Sequence, residues 1–256
     1  MIARLRRDVH GTPMQYPLRD WRQLRPMHIC AAAAAAICVA LGGPSASAAT
    51  SEPGSAEYAI RWNARDGGPK SGDEVLMVIG AHARRTSLFN VSYYDVPSAT
   101  TAPPGFATIL RQRVDGAGAA ELTWKLRGDR ALAVWTCPFE NSRQSKVEVD
   151  VTFTGADTVT RMYSYSCASA SPETAANSLA ASLKACTAAV TRWETGRLKI
   201  EEWRLPGDVL IIEVSGNDAN TRVAMEHFRK RVAAPLFAAG IVPSMQSKTE
   251  LGSHCQ

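Results

Sequence analysis

From Glu57 onward, apolar and polar residues alternate with a period of two in one short run after another. Successive side chains of a strand point to opposite faces, so this pattern reads as strands rather than helices. Strands are predicted near 57–63, 86–95, 106–114, 120–127, 131–136, 146–154, 159–167, 197–204 and 208–215. Short helices fit at about 72–79 and 174–186. A longer one fits from Asn217 to Ala239, where Val223, Ala224, Phe228, Val232 and Leu236 recur at helical spacing before Gly240 and Pro243 end it. The small residues of 49–56 read as a linker, and 57–252 as one domain without internal repeats. Many strands and few helices predict a mainly β (α+β) domain, either a barrel or a sandwich.

The alternation sorts charge as well as polarity. Glu57, Ala59 and Arg61 share one strand face, and so do Arg111 and Arg113, Glu121, Thr123 and Lys125, Glu148 and Asp150, Arg197, Lys199 and Glu201, and Glu213 and Ser215. Two arrangements fit. In a sandwich these faces meet water and the opposite faces form the core. In a closed barrel they converge on a wet lumen, and the apolar outer faces need helices to cover them.

The first 48 residues differ from the rest. Arg19, Arg22 and Arg25 precede an apolar run from Ile29 to Leu41, followed by Gly42, Gly43, Pro44 and the small residues Ala46-Ser47-Ala48. Basic, apolar and small-x-small segments in that order read as a secretory signal, and the apolar run falls short of the ~20 residues of a membrane helix. The expected location is periplasmic or secreted, with no membrane contact after cleavage. The signal also carries the basic charge: six Arg against two Asp give +4 of the chain's +5. A near-neutral mature chain offers no basic surface for nucleic acid.

Six cysteines become four on cleavage, namely Cys137, Cys167, Cys186 and Cys255. In an exported chain these are expected to form two disulfides. A hairpin between the strands at 146–154 and 159–167 brings Cys137 and Cys167 to one end of the sheet, and pairing Cys186 with Cys255 would tie down the tail. No CxxC pair or Cys/His cluster points to zinc, and His82, His227 and His254 are scattered.

Five short motifs stand in order along the domain. They are Tyr93-Tyr94-Asp95-Val96-Pro97, Leu110-Arg111-Gln112-Arg113, Leu122-Thr123-Trp124-Lys125, the strand from Leu210 to Ser215, and Ser247-Lys248. Together they resemble the motifs of CYTH, or triphosphate tunnel, domains. The resemblance implies an eight-stranded antiparallel tunnel that grips a triphosphate with basic side chains and holds Mg²⁺ or Mn²⁺ with carboxylates. Carried over position by position, Arg61, Arg111, Arg113, Lys125, Lys199 and Lys248 would contact phosphate, and Glu57, Glu148, Asp150 and Glu213 would hold the metal. Glu201 is either a further carboxylate or a strut neutralising Lys199. The family opens on ExExK, whereas this chain reads Glu57, Ala59, Arg61; a late ExE pair reads Glu213, Ser215. One carboxylate is missing from each pair, which weakens a Mg²⁺ site while leaving the basic half whole. The resemblance therefore leaves open a metal-dependent phosphohydrolase, a non-catalytic module for a small phosphorylated polyanion, a structural relic of the tunnel and, disfavoured by export, an adenylate cyclase.

Cleavage is expected after Ala48, with Ala49 as the neighbouring alternative. N-terminal sequencing of protein recovered from periplasm or medium checks this, and a mature chain retaining Arg22 and Arg25 would refute it.

Overall fold

A computed structural model describes residues 52–94, 102–139, 142–169 and 184–253. Among them are nine strands: β1 (Ser55–Asn63), β2 (Arg85–Tyr94), β3 (Phe106–Asp115), β4 (Ala120–Gly128), β5 (Ser142–Phe153), β6 (Val159–Ser169), β7 (Lys184–Thr195), β8 (Leu198–Leu205) and β9 (Val209–Ala219). They close into one barrel in the order β1-β5-β6-β4-β3-β2-β7-β8-β9, with β9 paired back to β1. β1 runs parallel to β5, with Glu57 beside Asp150, and every other pairing is antiparallel. The barrel thus has nine strands and a mixed sheet, not eight antiparallel ones.

Two elements differ from the nine strands predicted from the sequence, one lost and one gained. The segment 131–136 is not a strand but part of a strap over the outside of the barrel. Its backbone finds partners other than a ladder: Leu132 N–H donates to the Tyr165 hydroxyl at 2.6 Å. The strand the sequence hid is β7. Lys184–Cys186, expected to end a helix, begin this strand, while 174–183 lie outside the described residues. Ala185, Ala188 and Ala189 favour helix locally, but ladders to β2 and β8 on both sides override that preference. β1 also starts at Ser55, inside the stretch read as linker.

Apolar residues of the outer faces are buried under four short helical pieces. α1 (Gly72–Val78) begins at Ser71, whose side chain accepts from Glu74 N–H. Gly72 is required there, because a Cβ would meet the Trp193 ring at 2.4 Å. The helix expected from Asn217 starts only at Arg222, since β9 continues to Ala219 and Thr221 caps α2 (Arg222–Phe228). A wide π turn, Arg229–Ala233, leads into α3 (Ala234–Ala238). Pro235 has no N–H to offer one turn back, and the wider turn accommodates that loss. Phe228 packs on Tyr58 and Phe153 at 6.0 and 5.4 Å between ring centroids. With Val75, Leu76, Val232 and Leu236 it covers Ile60, Trp62, Val151 and Ile212. None of the described helices is long and apolar enough to cross a membrane.

The strap covers Leu110, Leu122 and Trp124 with Phe139 and Trp135. It is pinned by a Cys137–Cys167 disulfide, one of the two expected bridges. Nothing is described of the Cys186 side chain or of Cys255. At the far end of the chain, Pro243 bridges to Trp62 and Ser244 N–H donates to Arg61 O at 2.8 Å. α4 (Lys248–Ser253) then lies against β2 and β7, with Leu251 on an inward-facing apolar cluster of Val91, Tyr93, Val190 and Trp203. The C-terminal segment therefore crosses one mouth of the barrel.

The crosslink closes a sequence separation of 30 residues, for which loop-closure entropy predicts about 3–4 kcal/mol of stabilisation. Cys137→Ser with Cys167→Ser is expected to lower the urea midpoint accordingly without changing the strand content seen by circular dichroism. An unchanged midpoint would mean that packing alone holds the strap.

Candidate functional site

The strand faces that carry Glu57, Arg111, Lys125, Glu148, Lys199 and Glu213 point inward, whereas Arg197 precedes its strand and is exposed. A cavity of about 300 Å³ is lined by eight cationic side chains (Arg111, Arg113, Lys125, Arg127, Lys146, Arg192, Lys199 and Lys248) against four carboxylates (Glu57, Glu121, Glu148 and Glu201), an excess of four positive charges. Arg61, Asp150 and Glu213 line a smaller recess of about 20 Å³ beside it. Strand parity produces this convergence, because residues two apart on each strand share the lumen face.

Three groupings divide the lumen. In the first, Glu57, Glu148 and Asp150 each bring one oxygen within 4.8 Å of the others. Asp150 pairs with Arg127 at 2.7 Å and Lys125 at 3.2 Å, and Glu148 pairs with Lys146 and accepts from Asn217 Nδ2. In the second, Glu201 and Glu213 stand opposite each other on β8 and β9. Arg61 Nε lies 2.8 Å from Glu213, Arg192 Nε lies 2.8 Å from Glu201, and Lys248 reaches both carboxylates. In the third, Arg111, Arg113 and Lys199 have no carboxylate within ion-pair distance among the described residues. Arg111 donates to Thr123 Oγ1 at 3.4 Å, and the Nε atoms of Arg111 and Arg113 are buried without a partner among those residues. Arg113 and Arg192 both stack over Phe89, at 4.6 and 4.7 Å.

Protonation follows from these surroundings. Burial, then the neighbouring Arg111 and Arg192, push the Arg113 guanidinium down to about 10. Burial, with Glu57 close by, raises Glu148 above the usual carboxylate range. Burial opposes charge on Glu201 and Glu213 too, but Lys248 and the arginines outweigh it and hold both below that range. Asp150 is likewise held low, with Lys125 and Arg127 overcoming its burial.

All six cations expected to contact phosphate face the lumen, but they are not equivalent. Arg111, Arg113 and Lys199 carry free charge, whereas Arg61, Lys125 and Lys248 are engaged by carboxylates. Of the four expected metal carboxylates, Glu57, Glu148 and Asp150 come together. Glu213 does not join them; its oxygens are taken by Arg61 and Lys248. Glu201 is a strut for Arg192 and Lys248 rather than for Lys199. The two positions that lack a carboxylate, Ala59 and Ser215, are cross-strand neighbours, so both losses fall between the acidic corner and Glu213. Sequence reasoning passed over Arg127, Lys146 and Arg192. Arg127 and Lys146 were accessible by parity, two residues from Lys125 and Glu148; Arg192 was hidden with β7. His82 and His227 are exposed, and His254 lies outside the described residues.

The strands that carry the motifs close one barrel around a charged lumen. The fold is a closed, mainly β barrel, consistent with the tunnel that the motif resemblance implies. No protein-family model and no curated protein matches the sequence. Among solved structures, a protein from Pyrococcus horikoshii OT3 is similar at 14% identity and a TM-score of 0.46, over 76% of this chain and 98% of its own. A candidate adenylate cyclase from Vibrio parahaemolyticus is similar at 14% identity and 0.45, over 78% and 98%. A candidate adenylyl cyclase from Hippeastrum, described as having a dominant triphosphatase activity, is similar at 11% identity and 0.40, over 74% and 91%. At that distance the chemistry of the tunnel is read from this chain's own residues.

Carboxylates held low when folded contribute stability that is complete above their ordinary values, 4.5 for Glu and 3.8 for Asp, and is lost as pH falls further. Glu148, raised by burial, works in the opposite sense. Urea unfolding is therefore expected to show a steep loss of stability below about pH 4.5. Glu201→Gln should cost about 3–5 kcal/mol at pH 7, by leaving Lys248 and Arg192 underpaired, and should flatten the acid limb. An acid limb as steep in Glu201→Gln as in the unmodified protein would remove Glu201 from this account.

Proposed function

We propose that the protein is a tunnel that takes up a small phosphorylated polyanion of the triphosphate or short polyphosphate kind. The observation that carries this reading is the half-buried trio Arg111, Arg113 and Lys199, which has no carboxylate within ion-pair distance among the described residues. Burial first, and then repulsion by Arg111 and Arg192, lower the Arg113 pKa. A polyanion relieves both at once. Guanidinium forks match phosphate oxygens in pairs, and Lys199 and Lys146 at the cavity wall add point charges. The export expected from residues 1–48 and the near-neutral charge of the remaining chain fit a small ligand rather than nucleic acid.

A second reading, metal-dependent phosphohydrolysis, is favoured by the corner of Glu57, Glu148 and Asp150. Three carboxylate oxygens within 4.8 Å suit a hard cation such as Mg²⁺ or Mn²⁺, whose opposed ligands lie about 4 Å apart. Such an ion, held by these three residues, would polarise phosphorus and activate water. Lys125, Arg127 and Lys146 already neutralise two of the three carboxylates, so they would have to turn from carboxylate to phosphate as the ion enters.

Tripolyphosphate without metal is expected to raise the melting temperature. At a hundredfold excess over Kd, mass action gives about 2.7 kcal/mol, or roughly 5–10 °C for a domain of this size. Arg111→Ala and Arg113→Ala should each remove most of that shift, and Arg113→Met should leave the ligand-free melting temperature unchanged or higher by relieving repulsion. Phosphate release on adding Mn²⁺, lost in Asp150→Asn, would select the hydrolase. No shift in the unmodified protein would overturn the uptake reading.

A further inference from the structure

The carboxylates of Glu201 and Glu213 are directly opposed across β8 and β9 and are 3% and 2% exposed. Like charges so placed repel strongly in a poorly solvated lumen and require a cation between them. That cation is the ammonium of Lys248, 2.8 Å from Glu201 Oε2 and 2.6 Å from Glu213 Oε1, with the Trp203 ring 4.8 Å away. Arg192 takes the other oxygen of Glu201, and Arg61 the other oxygen of Glu213. Trp203 Nε1–H adds a hydrogen bond to Glu201 Oε2 at 2.9 Å. All four oxygens are therefore occupied by fixed donors, and a divalent ion requiring near-octahedral oxygen ligands finds none open here.

We propose that Lys248 is a tethered counter-ion standing in the place of a divalent cation between Glu201 and Glu213, and that this bridge pins the C-terminal segment across one mouth of the tunnel. The covalent tether explains why a single ammonium serves where a free monovalent ion would not. Lys248 is delivered by a segment already docked through Ser244 on Arg61 and Leu251 on the inner apolar cluster, so little freedom remains to be lost when the bridge forms. Its charge is favoured in return: burial opposes it, yet Glu201 and Glu213 raise its pKa. The late acidic strand is in this way a lock for the tail, and the tunnel is blind at that end.

The test replaces Lys248 by Met, which keeps the stem and removes the charge, and counts bound Mn²⁺ by electron paramagnetic resonance against the unmodified chain. The expected result is one more Mn²⁺ per chain in Lys248→Met, a lowered melting temperature that Mn²⁺ restores, and faster cleavage of the C-terminal segment in limited proteolysis without the metal. Adding Glu201→Gln and Glu213→Gln to Lys248→Met should abolish the extra ion. An unchanged Mn²⁺ count in folded Lys248→Met would overturn the proposal. If Lys248→Met alone does not fold, it is refolded with Mn²⁺ present, which should restore the fold by taking the place of the ammonium; failure to fold with Mn²⁺ would also overturn the proposal. The Mn²⁺ difference between variants is independent of any tripolyphosphate shift, so the uptake reading and this one can fail separately.

Discussion

Charges inside the barrel have left bulk water, and each must find its counter-charge among side chains that the strands bring within reach. Burial of an unpaired charge costs several kcal/mol, so this requirement governs more of the structure than any single contact. It accounts for Asp150 lying between Lys125 and Arg127, for the ring of Arg61, Glu213, Lys248, Glu201 and Arg192, and for the C-terminal segment crossing a mouth instead of trailing into solvent. Where compensation is incomplete, at Arg111, Arg113 and Lys199, the imbalance marks the proposed seat for an anion.

A charged interior forces the outside to be apolar. The barrel therefore has its core on its outer surface, and one wall is buried under α1, α2, the π turn and α3, with Phe228 wedged between Tyr58 and Phe153. The opposite wall has no helix among the described residues. A coil strap with Phe139 and Trp135 does the same work there, and a covalent bond holds it where packing area is small. The inner apolar cluster is the exception to the polar lumen. It sits where the C-terminal segment crosses, with Leu251 packed on the cluster that contains Trp203, while the remaining lumen stays polar.

The acidic half of the lumen is split. Ala59 and Ser215 face each other across β1 and β9, and a gap without carboxylates separates the Glu57 corner from Glu213. What remains on either side differs in kind. The corner keeps three oxygens close together, whereas the far pair is saturated by cations from β1, β7 and the tail. Of the two, only the corner brings three carboxylate oxygens close together.

Period-two alternation was enough to find eight of the nine strands and to put Arg111, Arg113, Lys125, Glu148 and Asp150 on faces that could share a lumen, because side-chain direction along a strand is a local property. Local rules failed where tertiary pairing outvoted them. An alanine-rich stretch became β7, an apolar alternation at 131–136 became a strap, and the helix expected from Asn217 waited for the Thr221 cap. Sequence alone could not choose between an open sandwich and a closed barrel, since both satisfy the same alternation; β9 closing on β1 decided it. Nor could it say which cations are spent and which are free. Arg61 meets Glu213 across 152 residues of chain and Lys248 meets Glu201 across 47, so the same residue types become strut, lock or anion seat only when barrel closure sets the distances between them.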